Sequence, residues 1–205
     1  MSDGAPCAPA RERWNDRYAG EGFRAFGPEP AEWLAEHEGL LGEIARERGE
    51  PRAIDVACGD GRNARLLAER GFAVDAIDVS DVAIAALAMA AGERGLAVRA
   101  TVADLERDGL PDGAWDVVVC MNYLQRDLFA GLQAALAPGG LLLCETFARA
   151  HVEELGRAFN PAYVLDRNEL LRAFEGLHVR HYREGVAERR GEPRGVASIV
   201  AQRLA

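Results

Sequence analysis

From Arg52 onward the apolar positions alternate between two rhythms, short runs of Val, Ile, Ala and Leu and longer stretches in which apolar residues return every three or four positions. Arg52 to Asn63 reads as a short buried strand carrying Ile54 and Val56, a glycine turn and the first turn of a helix that continues over Ala64 to Arg70. Strands are then predicted at Phe72 to Ile77, Leu96 to Val102, Trp115 to Cys120 and Leu141 to Thr146, with helices at Asp81 to Ala91 and Leu124 to Leu136. This alternation predicts an α/β fold, a doubly wound Rossmann-like sheet with helices on both faces. The ending differs: Asp166 to Phe174 reads as a capped helix, followed by strands at Leu177 to Tyr182 and Val196 to Leu204 joined by a polar, glycine-containing loop as a C-terminal antiparallel hairpin.

Ahead of the first strand, Ala31 to Arg48 reads as one helix with Trp33, Leu34, Leu40, Leu41 and Ile44 inward and Gly49 as its stop. Arg11 to Tyr18 predicts a short helix with Trp14 and Tyr18 on one face. Residues 10–30 form either an N-terminal flap over a ligand or a hydrophobic clasp onto the domain, and 1–9 read as a frayed tail.

Composition narrows the chemistry. A chain of 205 residues, 49% hydrophobic and 28% charged, suits one domain over 1–205 better than two small ones. No apolar run approaches the roughly 18 residues of a membrane helix, and Met1 to Ala10 lacks a secretory pattern, so a cytoplasmic protein without a membrane partner is expected. The net charge of −9 argues against nucleic acid and for a small-molecule substrate. All 24 basic residues are arginine, which excludes a Schiff-base lysine, a pyridoxal-phosphate anchor and a P-loop lysine. The 4 cysteines (Cys7, Cys58, Cys120, Cys144) show no C-x-x-C pair or zinc spacing, so reduced thiols and no metal are expected.

The glycine loop is the natural ligand cradle. Gly59 and Gly61 allow close backbone approach at the carboxyl end of the first strand, where helix amides face a ligand. Asp78 follows nineteen residues after Gly59, where a ribose-binding carboxylate belongs; without ligand it is expected to be a solvated strand tip. The run G-D-G-R-N-A satisfies G-x-G-x-x-A, so a nicotinamide dinucleotide has to be weighed. Asp55 just before the loop, a third acidic tip at Asp104 and the short chain favour S-adenosyl-L-methionine, whose amino group, ribose and adenine amine each suit a carboxylate.

At these residues the chain resembles the class I S-adenosylmethionine-dependent methyltransferases, and within them the small bacterial tellurite-resistance-type branch. The stretches that carry the resemblance are W-N-D-R-Y (Trp14 to Tyr18), D-V-A-C-G-D-G-R-N (Asp55 to Asn63), A-I-D-V-S (Ala76 to Ser80), N-Y-L-Q-R (Asn122 to Arg126), P-G-G-L-L-L-C-E-T (Pro138 to Thr146) and N-P-A-Y (Asn160 to Tyr163). The resemblance implies a seven-stranded sheet of order 3-2-1-4-5-7-6, with cofactor and substrate at the strands' carboxyl ends. It implies that Asp55, Gly59 and Gly61 surround the methionine part of the cofactor, that Ala57, Cys58 and Asn63 also bind the cofactor, that Asp78 binds the ribose and Val79 the adenine, and that Asp104 and Leu105 hold the adenine edge and face. Met121, Asn122 and Gln125 or Arg126 would lie beneath the sulfonium, and Trp14 and Tyr18 would belong to the flap. Ala57 stands where the family often has glycine.

Methyl transfer is an in-line displacement in which positioning is the protein's main task, contributing roughly 7–11 kcal/mol in the best model systems. Soft nucleophiles such as thiols, selenium or metalloid species need no strong base, whereas alcohols do. No catalytic side chain is therefore required, and His151, in an expected substrate lid over 147–165, is the one candidate base. Arg149, Arg157, Arg180 and Arg183 either collect around an anionic substrate or pair with nearby glutamates. Cys58, Cys120 and Cys144, near three strand ends, either form a thiol site for a metalloid or fill the core. A non-catalytic S-adenosylmethionine sensor or partner-binding domain and a nicotinamide-dependent oxidoreductase remain the alternatives.

Overall fold

The computed structural model describes residues 10–20 and 27–205. The expected tail over 1–9, with Cys7, and the aromatics Phe23 and Phe26 lie outside the described residues. Ahead of the sheet come α1 (Ala10–Ala19), α2 (Glu32–Glu36) and α3 (Glu38–Glu47). The core then alternates as β1 (Arg52–Val56), α4 (Arg62–Glu69), β2 (Ala73–Asp78), α5 (Asp81–Glu93), β3 (Val98–Val102), α6 (Leu105–Asp108), β4 (Trp115–Met121), α7 (Phe129–Ala134) and β5 (Leu136–Phe147). It closes with α8 (Ala150–Glu153), α9 (Glu169–Ala173), β6 (His178–Arg189) and β7 (Glu192–Gln202).

The seven strands form one sheet of order β3-β2-β1-β4-β5-β7-β6. Strands β1 to β5 pair in parallel; β7 runs antiparallel between β5 and β6. The central strands are nearly continuous apolar runs because both faces are covered. On one face Ala53, Val117, Val119 and Leu143 pack against Leu34 and Leu41 before the sheet and Leu67 and Leu87 within it. On the other, Ile54, Val118, Leu142 and Ile199 pack against Leu132, Leu170 and Phe174.

Three expectations need correction. The predicted helix over 31–48 is two helices, because His37 leaves the helical region at φ −111° while its Nδ1 donates to the Trp33 carbonyl at 2.7 Å. The predicted helix over 124–136 shrinks to a 3₁₀ turn (Arg126–Leu128) and α7, since Leu136 already pairs with Trp115 in the sheet. The loop expected between the last two strands is mostly strand. Its turn is only Arg190 and Gly191, at φ 55° and 73°, the left-handed pair that matches the twist of a tight hairpin.

Candidate active site

Parallel strands deliver all their carboxyl ends to one edge, and β1 lies between β2 and β4, where the chain's winding reverses direction. A cavity of about 920 Å³, part of it open to solvent, lies at that crevice. Its lining brings together most of the residues singled out in the sequence. The loop after β1 contributes Ala57, Cys58 and Gly59, with Asn63 from the start of α4. Asp78 and Val79 come from the end of β2, Asp104 and Leu105 from the end of β3, and Met121 and Asn122 from the end of β4. Trp14 and Tyr18 of α1 close the remaining side.

Local geometry explains the loop. Ala57, Gly59 and Gly61 all take left-handed backbone, at φ 55°, 57° and 76°. A Cβ on Gly59 would collide with the Tyr18 hydroxyl, and one on Gly61 would collide with Leu87 of α5. Gly61 therefore serves helix packing and does not line the cavity. The Asn63 Oδ1 accepts from the Ala31 amide at 2.9 Å, fastening the entry to α2 onto the start of α4.

Asp78 is not a solvated tip, contrary to expectation: it is 7% exposed and accepts from the Gly59 amide at 2.8 Å and the Ser80 amide at 2.9 Å. Burial pushes its carboxyl up, and those amides oppose the shift. A carboxylate has about four lone-pair sites, so two amides leave room for two hydroxyl donors. Asp104 caps α6 by accepting from the Glu106 amide at 3.1 Å.

Asp55 lies below the lining, 1% exposed, and neither of its oxygens has a hydrogen-bond partner among the described residues. Burial pushes this carboxyl up to about 7, while the Arg62 guanidinium and the Ala64 amide favour its charge and Asp78 and Asp60 oppose it. Those charged side chains, Arg62, Asp60 and Asp78, line the cavity, while Asp55 itself is not part of the lining. A carboxylate so deeply buried is costly to ionise, which is why its pKa rises despite the Arg62 guanidinium.

Other expected residues lie elsewhere. Arg126 donates to the Glu169 carboxylate at 2.7 and 3.0 Å and to the Val164 carbonyl at 2.9 Å, which draws it away from the cradle. Gln125 stands behind the lining, accepting from the Tyr123 hydroxyl at 2.7 Å and donating to the Leu105 carbonyl at 3.3 Å. His151 is buried outside the cavity; its Nδ1 accepts from the Gly195 amide at 3.2 Å, and its ring packs against Phe147 and Phe159. Burial lowers its pKa, aided by Arg157 and Arg194. Of the lid residues 147–165, none lines the cavity.

The thiol site does not form. Cys120 and Cys144 face each other across β4 and β5 in one core layer, whereas Cys58 belongs to the layer on the opposite face. All three are buried, and among the described residues no three His, Cys, Asp or Glu gather as a metal site. Nor do the four candidate arginines line the cavity: Arg149 pairs with Asp166, Arg183 with Glu36, Arg180 donates to Gln202, and Arg157 lies near His151.

Sequence reasoning passed over Tyr123, Arg62, Asp60, Ala103 and Glu106, all of which line the cavity. Tyr123 was visible inside N-Y-L-Q-R and Arg62 inside D-G-R-N. No lining phenol or thiol is a neutral-pH base. Burial, with Asp78 beside Tyr18 and Glu106 beside Tyr123, holds both phenols well above their ordinary range, and burial does the same to the Cys58 thiol.

Comparison with known proteins agrees with this geometry. Residues 53–140 match the family model described as a methyltransferase domain. The malonyl-[acyl-carrier protein] O-methyltransferase of Serratia marcescens is 34% identical over 129 residues, 60% of this chain and 48% of that protein. The ubiquinone biosynthesis O-methyltransferase of Pseudomonas aeruginosa is 26% identical over 161 residues, 75% of this chain and 66% of that protein. The chain thus spans about half to two thirds of the length of these relatives. Among solved structures, TehB from Haemophilus influenzae superimposes with a TM-score of 0.66 at 18% identity, covering 80% of this chain and 62% of that one. The magnesium protoporphyrin IX methyltransferase of Synechocystis, solved with S-adenosylhomocysteine, gives 0.66 at 17% identity, covering 94% and 97%. Residues 53–140 thus carry the match to a methyltransferase domain, and the fold around them is the one shared with these solved methyltransferases.

Proposed function

We propose that the chain transfers the methyl group of S-adenosylmethionine to an oxygen of a small-molecule acceptor. The observation that carries this reading is the pair of carboxylates under one glycine loop: Asp55 buried without a hydrogen-bond partner, and Asp78 fixed by two amides with acceptor capacity to spare. In this reading Asp55 balances the methionine ammonium, Asp78 takes the ribose hydroxyls, and Val79, Asp104 and Leu105 hold the adenine. Met121 and Asn122 floor the reacting end, with Gln125 steadying Tyr123 behind them. Trp14 and Tyr18 of α1 act as a flap that excludes water; Asn15 supports this by donating to Asp81 at 2.6 Å and accepting from Ser80 at 2.8 Å, which docks α1 on the start of α5.

Bound S-adenosylmethionine supplies a methyl group on a cationic sulfur, ready for in-line displacement. The chain's share is orientation in a preformed cavity. Because burial holds the lining phenols and the Cys58 thiol neutral, none of them supplies the base, and this reading favours an acceptor that ionises by its own chemistry or arrives as an anion. Oxygen as the attacking atom is supported by the relatives, which are named O-methyltransferases. A soft nucleophile and a place in the tellurite-resistance-type branch rest on the quoted motifs, and tellurite and selenite therefore belong in the acceptor panel. No described helix is long and apolar enough to cross a membrane; the proposal includes a cytoplasmic location, a small-molecule acceptor and one domain over 1–205.

The test is calorimetric titration with S-adenosylhomocysteine and with NAD, followed by turnover of methyl-labelled S-adenosylmethionine against hydroxylated, thiol and oxyanion acceptors. Micromolar S-adenosylhomocysteine binding with label transfer is expected. Tight binding with no transfer to any acceptor class would favour a sensor, and preference for NAD would favour an oxidoreductase.

A further inference from the structure

Residues 27–30, G-P-E-P, lead into α2 without forming helix or strand, and Gly27 at their start lines the cradle. Pro28 and Pro30 carry no amide hydrogen, so carbonyls are the natural points of attachment for this short strap. Two arginines use them. Arg62, the first residue of α4, donates to the Glu29 carbonyl at 3.1 Å. Arg190, 161 residues after Glu29, donates to that same carbonyl and to the Pro30 carbonyl, the latter at 3.1 Å. Its backbone amide adds a bond to the Glu32 carboxylate at 2.8 Å, where α2 begins.

Contact is as close as the bonding. Gly27 takes φ 65°, and a Cβ added there would meet the Arg190 guanidinium. Pro28 and Glu29 are exposed, so the apolar burial that fixes the helices is small here, and charge-assisted bonds from arginine carry the attachment. Arg190 sits in the two-residue turn of the β6–β7 hairpin in left-handed backbone at φ 55°, a place that such turns usually give to Asn, Asp or Gly. Turn geometry does not account for an arginine there; the reach of its side chain does. Arg190 is not itself part of the cradle's lining, whereas Gly27 and Arg62, which it meets directly or through the Glu29 carbonyl, both are.

We propose that Arg190 is a positioning residue for the cofactor: from the turn of the C-terminal hairpin it clamps residues 27–30 against the rim of the cradle and so slows the cofactor's escape. The inference rests on the methyltransferase reading and adds to it a residue that lies far from the glycine loop in sequence. Coupling of this kind is reciprocal. If the clamp tightens the hold on the cofactor, a bound cofactor tightens the clamp by the same factor.

The experiment compares the full-length wild type with Arg190→Gly. Glycine accepts the left-handed turn without strain and keeps the backbone bond to Glu32, so only the side-chain clamp is lost. Release of S-adenosylhomocysteine, followed by stopped flow, is expected to be at least about tenfold faster in Arg190→Gly, with the ligand-free melting temperature within about 3 °C of the wild type. Arg190→Lys, which restores a donor and the charge, is expected to recover part of the loss. In the wild type alone, hydrogen exchange over residues 27–35 and 188–194 is expected to slow at least about threefold on saturation with S-adenosylhomocysteine. Release within about twofold of the wild-type rate in a folded Arg190→Gly protein, or unchanged exchange at 188–194 on loading the wild type, would overturn the proposal, the second whether or not the variants fold. Failure of S-adenosylhomocysteine to bind the wild type at all would sink the methyltransferase reading, and the cofactor role of Arg190 with it.

Discussion

The Asp78 carboxylate accepts the Gly59 amide at 2.8 Å, so the tip of the second strand holds the glycine loop that follows the first. The same carboxylate also accepts the Ser80 amide, at 2.9 Å. Asp78→Ala should therefore destabilise the ligand-free protein by about 1–3 kcal/mol, since two buried amides lose their acceptor. S-adenosylhomocysteine affinity should fall by about 2–4 kcal/mol, on the order of 30- to 1,000-fold. Denaturant titration and calorimetry read the two effects separately. Full affinity in a folded Asp78→Ala protein would remove Asp78 from the ribose site.

Asp55 predicts a pH dependence of unusual sign. Its folded-state pKa, about 7, lies above the ordinary 3.8, so between those values the folded chain holds a proton that the unfolded chain has released. Stability from this group is full below about pH 4 and lost as pH rises towards 7, by up to about 4 kcal/mol. Asp55→Asn should flatten that slope and leave the ligand-free protein more stable at pH 8. Binding has the opposite slope, because an ammonium prefers the ionised carboxylate: S-adenosylhomocysteine affinity should rise from pH 6 to 8 in the wild type and stay level in Asp55→Asn. Melting and calorimetry over pH 5–8 check both, and equal slopes in the two proteins would show that Asp55 does not meet the ligand.

Removal of residues 1–20 tests the flap. Trp14 and Tyr18 line the cavity, while no residue of α1 is fully buried. The truncated protein should fold, keep its sheet by circular dichroism and bind S-adenosylhomocysteine at least about tenfold more weakly. Equal affinity would reduce α1 to a clasp.

The sheet was legible because its strands are short apolar runs set between glycine turns, and the one-in-two burial of Ala53 and Ile54 on opposite faces is what such runs imply. The cradle was legible from its acidic strand tips. What the residue pattern did not carry were the features decided by distant partners. Glu169 draws Arg126 away from the cavity, and the Gly59 and Ser80 amides bury Asp78 before any ligand arrives. Ala57 was the one departure from the resembled loop; the structure gives it φ 55°, so the left-handed turn survives with a methyl group in it, at the usual steric cost of about 1–2 kcal/mol for a residue other than glycine. The long hairpin escaped because Glu184 to Arg194 are too polar to show an apolar rhythm, although they pair residue by residue across it.

That hairpin also comes last in the order of synthesis. Every strand tip of the cradle is encoded between β1 and β4, whereas Arg190 lies in the turn between β6 and β7. During synthesis the strands that carry the cradle leave the ribosome first, and the β6–β7 hairpin arrives last. Because β7 slots antiparallel beside β5, residues 178–202 can join the sheet only after its five parallel strands have been made.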